Sequence, residues 1–177
     1  MHTRPFLELE ALHLTLAGTE IPPAVFWQRL GVTLQAATKL RDLRLGFDQY
    51  HPTPKTHGIW YTHKDAGNWY VPLWKLFGSH VWSELKSLRL DGLHICEAGL
   101  IYLLTRHHSS LNHLDLCNIC IEHGSFQSLL SRIRSTLSLK HFQIWGVLFS
   151  RRSPHENWFL PPTPTPNTNR YPGMDYY

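Results

Sequence analysis

Cysteine is scarce in this chain, at three among 177 residues, so no disulfide framework can staple it. Long apolar runs are missing as well. The longest is only a few residues, far short of a bilayer span, and no transmembrane segment is expected. The amino terminus, Met1-His-Thr-Arg-Pro-Phe-Leu-Glu-Leu-Glu10, is broken by acids and holds no apolar signal core. With few cysteines and no signal, a reducing compartment, the cytoplasm or the nucleus, is expected. Charge is thin at 17%, and the net of +4 is too small for a dedicated nucleic-acid binder. Gly-x-Ser-x-Gly elbows and Gly-rich phosphate loops are absent, and no two carboxylates are spaced for acid–base work. The chain therefore reads as non-enzymatic, with no cofactor.

Leucine, by contrast, is abundant. There are 28 copies, and a short phrase, apolar-x-x-apolar-x-apolar, places many of them. It opens as Leu9-Glu-Ala-Leu12-His-Leu14 and returns as Leu40-Arg-Asp-Leu43-Arg-Leu45. Leu85-Lys-Ser-Leu88-Arg-Leu90 and Leu111-Asn-His-Leu114-Asp-Leu116 follow, then a degenerate Leu139-Lys-His-Phe142-Gln-Ile144. The starts are 31, 45, 26 and 28 residues apart. Leucine-rich repeats have a period of about 20–29 residues, so the last two intervals fit. The 45-residue interval needs an insertion, and residues 48–72, rich in Pro, Gly, His and aromatics, supply it.

The last apolar-x-apolar of each phrase has strand period, and the leucine before it marks the entry to the strand. Between phrases the spacing turns helical. Phe126, Leu129, Leu130, Ile133 and Leu137 form one stripe, and Leu100, Leu103 and Leu104 a second. Phe26, Leu30, Leu34 and Ala37 form a third, and Leu73, Leu76, Phe77 and Val81 a fourth behind Pro72. Strands alternating with helices imply a parallel sheet. The tight period implies a short α/β solenoid, a horseshoe with the sheet on its concave side and helices outside. This domain should cover residues 1–149. Leu93, Ile95, Ile119, Ile121 and Val147 continue the phase into the turn after each strand. From Ser150 the pattern stops. The Pro/Thr/Asn-rich tail, residues 150–177, should be extended or disordered, with Trp158, Phe159 and Leu160 covering the solenoid's end.

Several stretches resemble the repeat region of filamentous-fungal F-box proteins. They are Trp82-Ser-Glu-Leu-Lys-Ser-Leu-Arg-Leu-Asp-Gly-Leu93, Glu97-Ala-Gly-Leu-Ile-Tyr-Leu-Leu-Thr-Arg-His107 and Gly124-Ser-Phe-Gln-Ser-Leu-Leu-Ser-Arg-Ile-Arg134. Val71-Pro-Leu-Trp-Lys-Leu-Phe-Gly78 and the phrase at Leu111 fit too, so the likeness covers roughly residues 40–148. The resemblance implies the substrate-recognition domain of a cullin–RING ubiquitin ligase, whose Skp1 adaptor docks on the F-box. The first phrase begins at residue 9, which leaves no room for an F-box before it. The repeat part alone is expected, without direct docking of Skp1.

In such a horseshoe the side chains flanking the buried leucines point out of the concave sheet. The expected protein-binding surface is therefore His13 in the first strand, Asp42 and Arg44 in the second, and Ser87, Arg89 and Asp91 in the third. His113 and Asp115 continue it, and His141, Gln143 and Trp145 close it. Ala11, Thr15, Gly46 and Cys117 share the phase. Arg and Trp are favoured anchors at interfaces. A solvated face laced with ion pairs is the plainer account of the same residues. In the insertion, Tyr50, Trp60, Tyr61, Trp69 and Tyr70 could clasp a peptide or pack over the solenoid edge.

Cys117-Asn-Ile-Cys120-Ile-Glu-His123, with His94 and Cys96 one repeat earlier, invites a zinc site. Zinc wants a tetrahedral knuckle, whereas Ile119 and Ile121 keep strand phase, so no metal is expected. His107 and His108 end a helix, where a cation suits the helix dipole. The alternative function is nucleic-acid binding through Arg132, Arg134, Lys140, Arg151 and Arg152, near Trp145 and His141. Asp42, Asp91 and Asp115 on the concave face would repel phosphate.

Overall fold

A computed structural model describes residues 4–18, 23–49, 71–152 and 158–161. The order is α1 (Arg4–Leu7), β1 (Ala11–Gly18), α2 (Ala24–Gln35), β2 (Asp42–Gln49) and α3 (Leu73–Phe77). Then come β3 (Ser87–Asp91), β4 (His94–Cys96), α4 (Glu97–Arg106), β5 (His113–Cys117) and β6 (Cys120–His123). α5 (Phe126–Thr136), β7 (His141–Ser150) and β8 (Trp158–Leu160) complete the chain. Aromatic residues 50–70, among them Tyr50, Trp60, Tyr61, Trp69 and Tyr70, and the Pro/Thr-rich run from residue 162 lie outside the described residues.

Seven strands form one strongly curled, all-parallel sheet in the order β1-β2-β3-β5-β7-β6-β4. The five strands carrying the leucine phrases are consecutive neighbours. Leu12, Leu43, Leu88, Leu114 and Phe142 stand in one row, and Leu14, Leu45, Leu90, Leu116 and Ile144 in the next. The architecture is that expected of a leucine-rich-repeat horseshoe. The same backbone bond recurs at each step: Asp42 N–H to Glu10 O, Ser87 N–H to Arg41 O, His113 N–H to Lys86 O and His141 N–H to Asn112 O, at 2.9–3.0 Å. Such repetition follows from repeating sequence, since each unit buries its leucines only against its neighbours.

The sheet curls because the chain turns a corner after β3, after β5 and within β7. Gly92, Asn118 and Gly146 occupy that corner in successive units, with φ of 68°, 51° and 82°. Beyond it, β4, β6 and the end of β7 make a second short parallel ladder. Leu93, Ile95, Ile119 and Ile121 thus fill the core from a strand pair as well as from a turn, and all four are buried. At Gly146 a Cβ would stand 2.3 Å from Asn118 Oδ1, so the amide of one corner occupies the space that glycine leaves in the next.

Helices α2, α3, α4 and α5 pack side by side outside the sheet. Their buried residues, including Leu34, Leu76, Leu100, Leu104, Leu129 and Ile133, belong to the expected stripes. α3 is shorter than its stripe. It ends at Phe77 because Gly78 takes φ of 54°, and Val81 is left exposed. Glu97 opens α4 and reaches the next helix. Its carboxylate accepts from the Ser125 N–H at 2.9 Å and from the Ser128 hydroxyl at 2.6 Å, while Ser125 Oγ caps α5 by accepting from the Ser128 N–H.

β8 runs antiparallel against Gly146–Leu148 of β7, and Trp158 packs on Phe126 with ring centroids 5.5 Å apart. The Trp-Phe-Leu segment thus lies against the last unit. His107 departs from its expected role as a cation. It is buried, and Nδ1 faces Leu103 O at 2.9 Å, so it carries the proton; Nε2 accepts from the Trp82 N–H at 3.2 Å. Both nitrogens are used by a neutral ring, and burial pushes its pKa below that of a free histidine.

Candidate functional site: the concave sheet face

Strand alternation sends the leucines into the core and the intervening side chains onto the concave face. Parallel register then sorts the expected residues into three rows. Ala11, Asp42, Ser87, His113 and His141 form the first. His13, Arg44, Arg89, Asp115 and Gln143 form the second, and Thr15, Gly46, Asp91, Cys117 and Trp145 the third. Every residue singled out for the concave face falls in this lattice, with His13, Thr15, Arg44, His113 and His141 exposed, Cys117 buried and the other polar ones half-buried.

The middle of the lattice is tied together around Arg89. Its guanidinium lies 3.2 Å from Asp91 Oδ2 and 3.5 Å from Asp115 Oδ2, and stacks over the Trp145 ring at 5.2 Å. The Trp145 indole N–H donates to Asp115 Oδ1 at 2.8 Å. One cation, two carboxylates and one indole from three adjacent strands therefore fix one another. A flat aromatic and a planar guanidinium held this way lose little side-chain entropy when a partner covers them.

Toward the first strands, Arg44 donates to Asp42 at 3.1 Å along its own strand, and His13 Nε2 lies 3.3 Å from Asp42 Oδ2. Burial raises the Asp42 carboxyl, but the bonds from Arg44 and His13 outweigh it and hold the group below its usual range. Arg89 with Asp115 is the cross-strand pair that register allows. Arg44 with Asp42 and Arg89 with Asp91 are pairs two residues apart on one strand. At the far side His113 and His141 face each other with centroids 6.0 Å apart.

Asn118, which the sequence reading left out, links this face to the corner. It donates from Nδ2 to Asp91 Oδ1 at 2.9 Å and accepts at Oδ1 from the Val147 N–H at 3.0 Å. A signal for it was present, since Gly92, Asn118 and Gly146 recur at the phrase's own intervals of 26 and 28 residues. The other unforeseen cluster is on the second ladder. His94 Nε2 lies 2.6 Å from Glu122 Oε2, and Arg151 donates to both Glu122 oxygens at 2.8 and 3.0 Å. Burial lowers the His94 pKa despite Glu122, while Arg151 and His94 hold the Glu122 carboxyl down against its own burial.

The cysteine motif is split by the corner. Asn118 turns the chain between Cys117 and Cys120, so the two thiols sit on different ladders. Burial pushes the Cys120 thiol up to about 12, and that of Cys117 also upward. Among the described residues no three His, Cys, Asp or Glu side chains gather as metal ligands. The basic residues of the nucleic-acid alternative are partly engaged. Arg151 pairs with Glu122, and Arg132 approaches Glu97 at 4.0 Å. No described helix is long and apolar enough to cross a membrane.

In comparisons with known proteins, no family model, no curated protein and no solved structure matches this chain. The curled parallel sheet with its outer helices is consistent with leucine-rich repeats and identifies no family.

Proposed function

We propose that the chain is a non-enzymatic protein-interaction module that binds a protein partner on its concave sheet. The observation that carries this reading is the Arg89–Trp145 stack, braced by Asp91 and Asp115 in the middle of the lattice. Arg and Trp are the residue types that most often dominate binding energy, and pre-ordering lowers the cost of using them. Asp42, Arg44, His13, Ser87, His113, His141 and Gln143 surround the stack as a polar rim.

By its resemblance to F-box repeats, the module presents a protein for ubiquitylation, as the substrate-recognition part of a cullin–RING ligase does. Nucleic acid is the poorer fit. Asp42, Asp91 and Asp115 stand on the concave face, and Arg151 and Arg132 are turned to Glu122 and Glu97. A continuous positive track is what phosphate binding needs.

The test is affinity capture with the full chain and two variants, Arg89→Ala and Trp145→Ala, beside a control, Val32→Ala, on the opposite helical surface. A defined set of proteins lost with both concave variants and kept with the control is the expected result. Capture indifferent to Arg89 and Trp145 overturns the reading. Polynucleotide affinity that falls steeply with salt and with Arg151→Ala plus Arg152→Ala would replace it with the nucleic-acid one.

A further inference from the structure

We propose that this chain pairs with a second copy of itself through the outer edge of β1, in an antiparallel, two-fold arrangement centred on Leu14. Among the described residues β2 is the only strand beside β1. The Asp42 N–H bonds to Glu10 O, so even-numbered residues of β1 turn their backbone groups to β2. Ala11, His13 and Thr15 therefore turn theirs to the open edge.

That edge carries none of the usual guards. Ala11–Gly18 reads Ala-Leu-His-Leu-Thr-Leu-Ala-Gly, with no Lys, Arg, Asp, Glu or Pro in eight residues. Natural edge strands are blunted by charge, proline, bulges or shortness. Among the described residues the core beneath it is also less covered than elsewhere in the sheet. Leu12, Leu14 and Leu16 are half-buried, whereas Leu43 and Leu45, one strand in, are 0% and 1% exposed. Phe26 and Leu30, one turn apart on α2, are half-buried as well, on the flank away from the Gln35 amide that bonds to Phe77 O of α3. Most of the partly buried apolar residues against the core belong to this first unit.

The strand is complementary to itself. Set antiparallel about Leu14, the outward-facing His13 and Thr15 become the hydrogen-bonded pair of each protomer with its partner. Leu14 meets Leu14 on the axis, and Leu12 meets Leu16, which joins the two half-covered leucine rows into one strip. No like charges face each other. A one-residue slip would put outward backbone groups opposite inward ones, and a two-residue slip would set a leucine of each strand against Glu10 or Gly18, so the register about Leu14 pairs the most leucines. An isologous contact of this kind closes at two copies.

Sedimentation of the full chain through a dilution series should give twice the 20.6 kDa chain mass, falling to one on dilution. Leu14→Lys and Leu14→Glu should each be monomeric, because like charges would meet on the axis. An equal mixture of those two should restore the doubled mass, since opposite charges then meet. Thr15→Pro is the second probe: its N–H faces the open edge, so proline removes no bond to β2, and it should be a folded monomer by circular dichroism. A chain monomeric at every concentration overturns the proposal. So does a Leu14→Lys protein that still dimerises, a mixture that stays monomeric, or a mass that grows beyond two copies.

Discussion

Asn118 and Asp91 are joined by a 2.9 Å bond from Nδ2 to Oδ1, and through it the corner of one unit steadies the concave face of the unit before. The same amide accepts from the Val147 N–H of the unit after it. Asn118 holds φ of 51°, a left-handed conformation that most side chains resist.

Asn118→Gly keeps the backbone and loses the side-chain bonds to Asp91, Val147 and Cys117, which should cost about 1–3 kcal/mol. Asn118→Ala adds the left-handed strain and should cost about 2–4 kcal/mol. Urea unfolding midpoints at unchanged slope should rank wild type above glycine and glycine above alanine. Equal stability of all three would mean the corner carries no energy.

Glu97 ties α4 to the start of α5 through Ser125 and Ser128. Glu97→Ala should destabilise by about 1.5–3 kcal/mol, the value of hydrogen bonds to a charged group. Glu97→Gln keeps an acceptor and should recover part of the loss. Thermal unfolding of the two variants side by side checks this.

Leu116 is fully buried in the middle of the leucine rows. Leu116→Ala should cost about 2–5 kcal/mol, as lost transfer energy plus the cavity left behind. Chemical denaturation reads the loss directly, and a loss under about 1 kcal/mol would contradict the packing described here.

His107 and His94 are both held below the pKa of a free histidine, chiefly by burial. An unfolded histidine takes its proton near pH 6.5, whereas these two resist it in the fold. The unfolded state therefore binds more protons in this window, so stability is full above about pH 6.5 and falls as pH drops below it. Melting temperatures measured from about pH 7 down to about pH 5 should decline, and His107→Gln should flatten the decline. A melting temperature that rises on acidification would reverse the sign.

The leucine phrases were enough to place five strands and four helices, because burial of periodic apolar residues dominates both local choice and stacking. The concave rows followed, since parallel register leaves little freedom once the leucines are fixed. The corner was harder. Glycine marks it at Gly92 and Gly146, yet Asn118 takes the same left-handed conformation by bonding its own side chain to its neighbours. His107 was read as a helix-end cation because spacing shows position and not burial. Trp82 and Leu103, which claim its two nitrogens, lie 25 and 4 residues away. Ion pairing on the face depended on rotamers, and Arg89 reaches forward to β5 and β7 where a pattern offers several equivalent carboxylates.

Among the described residues the second ladder joins β4, β6 and the end of β7, and Val71 N–H bonds to His94 O beside it, so every unit but the first is fastened at two places. Under tension applied to its two termini, a molecule so built should not rupture all at once. β1 should peel away first, at low force, before the doubly fastened block gives way in a single larger step. Stretching one tethered molecule in an optical trap would display that staircase.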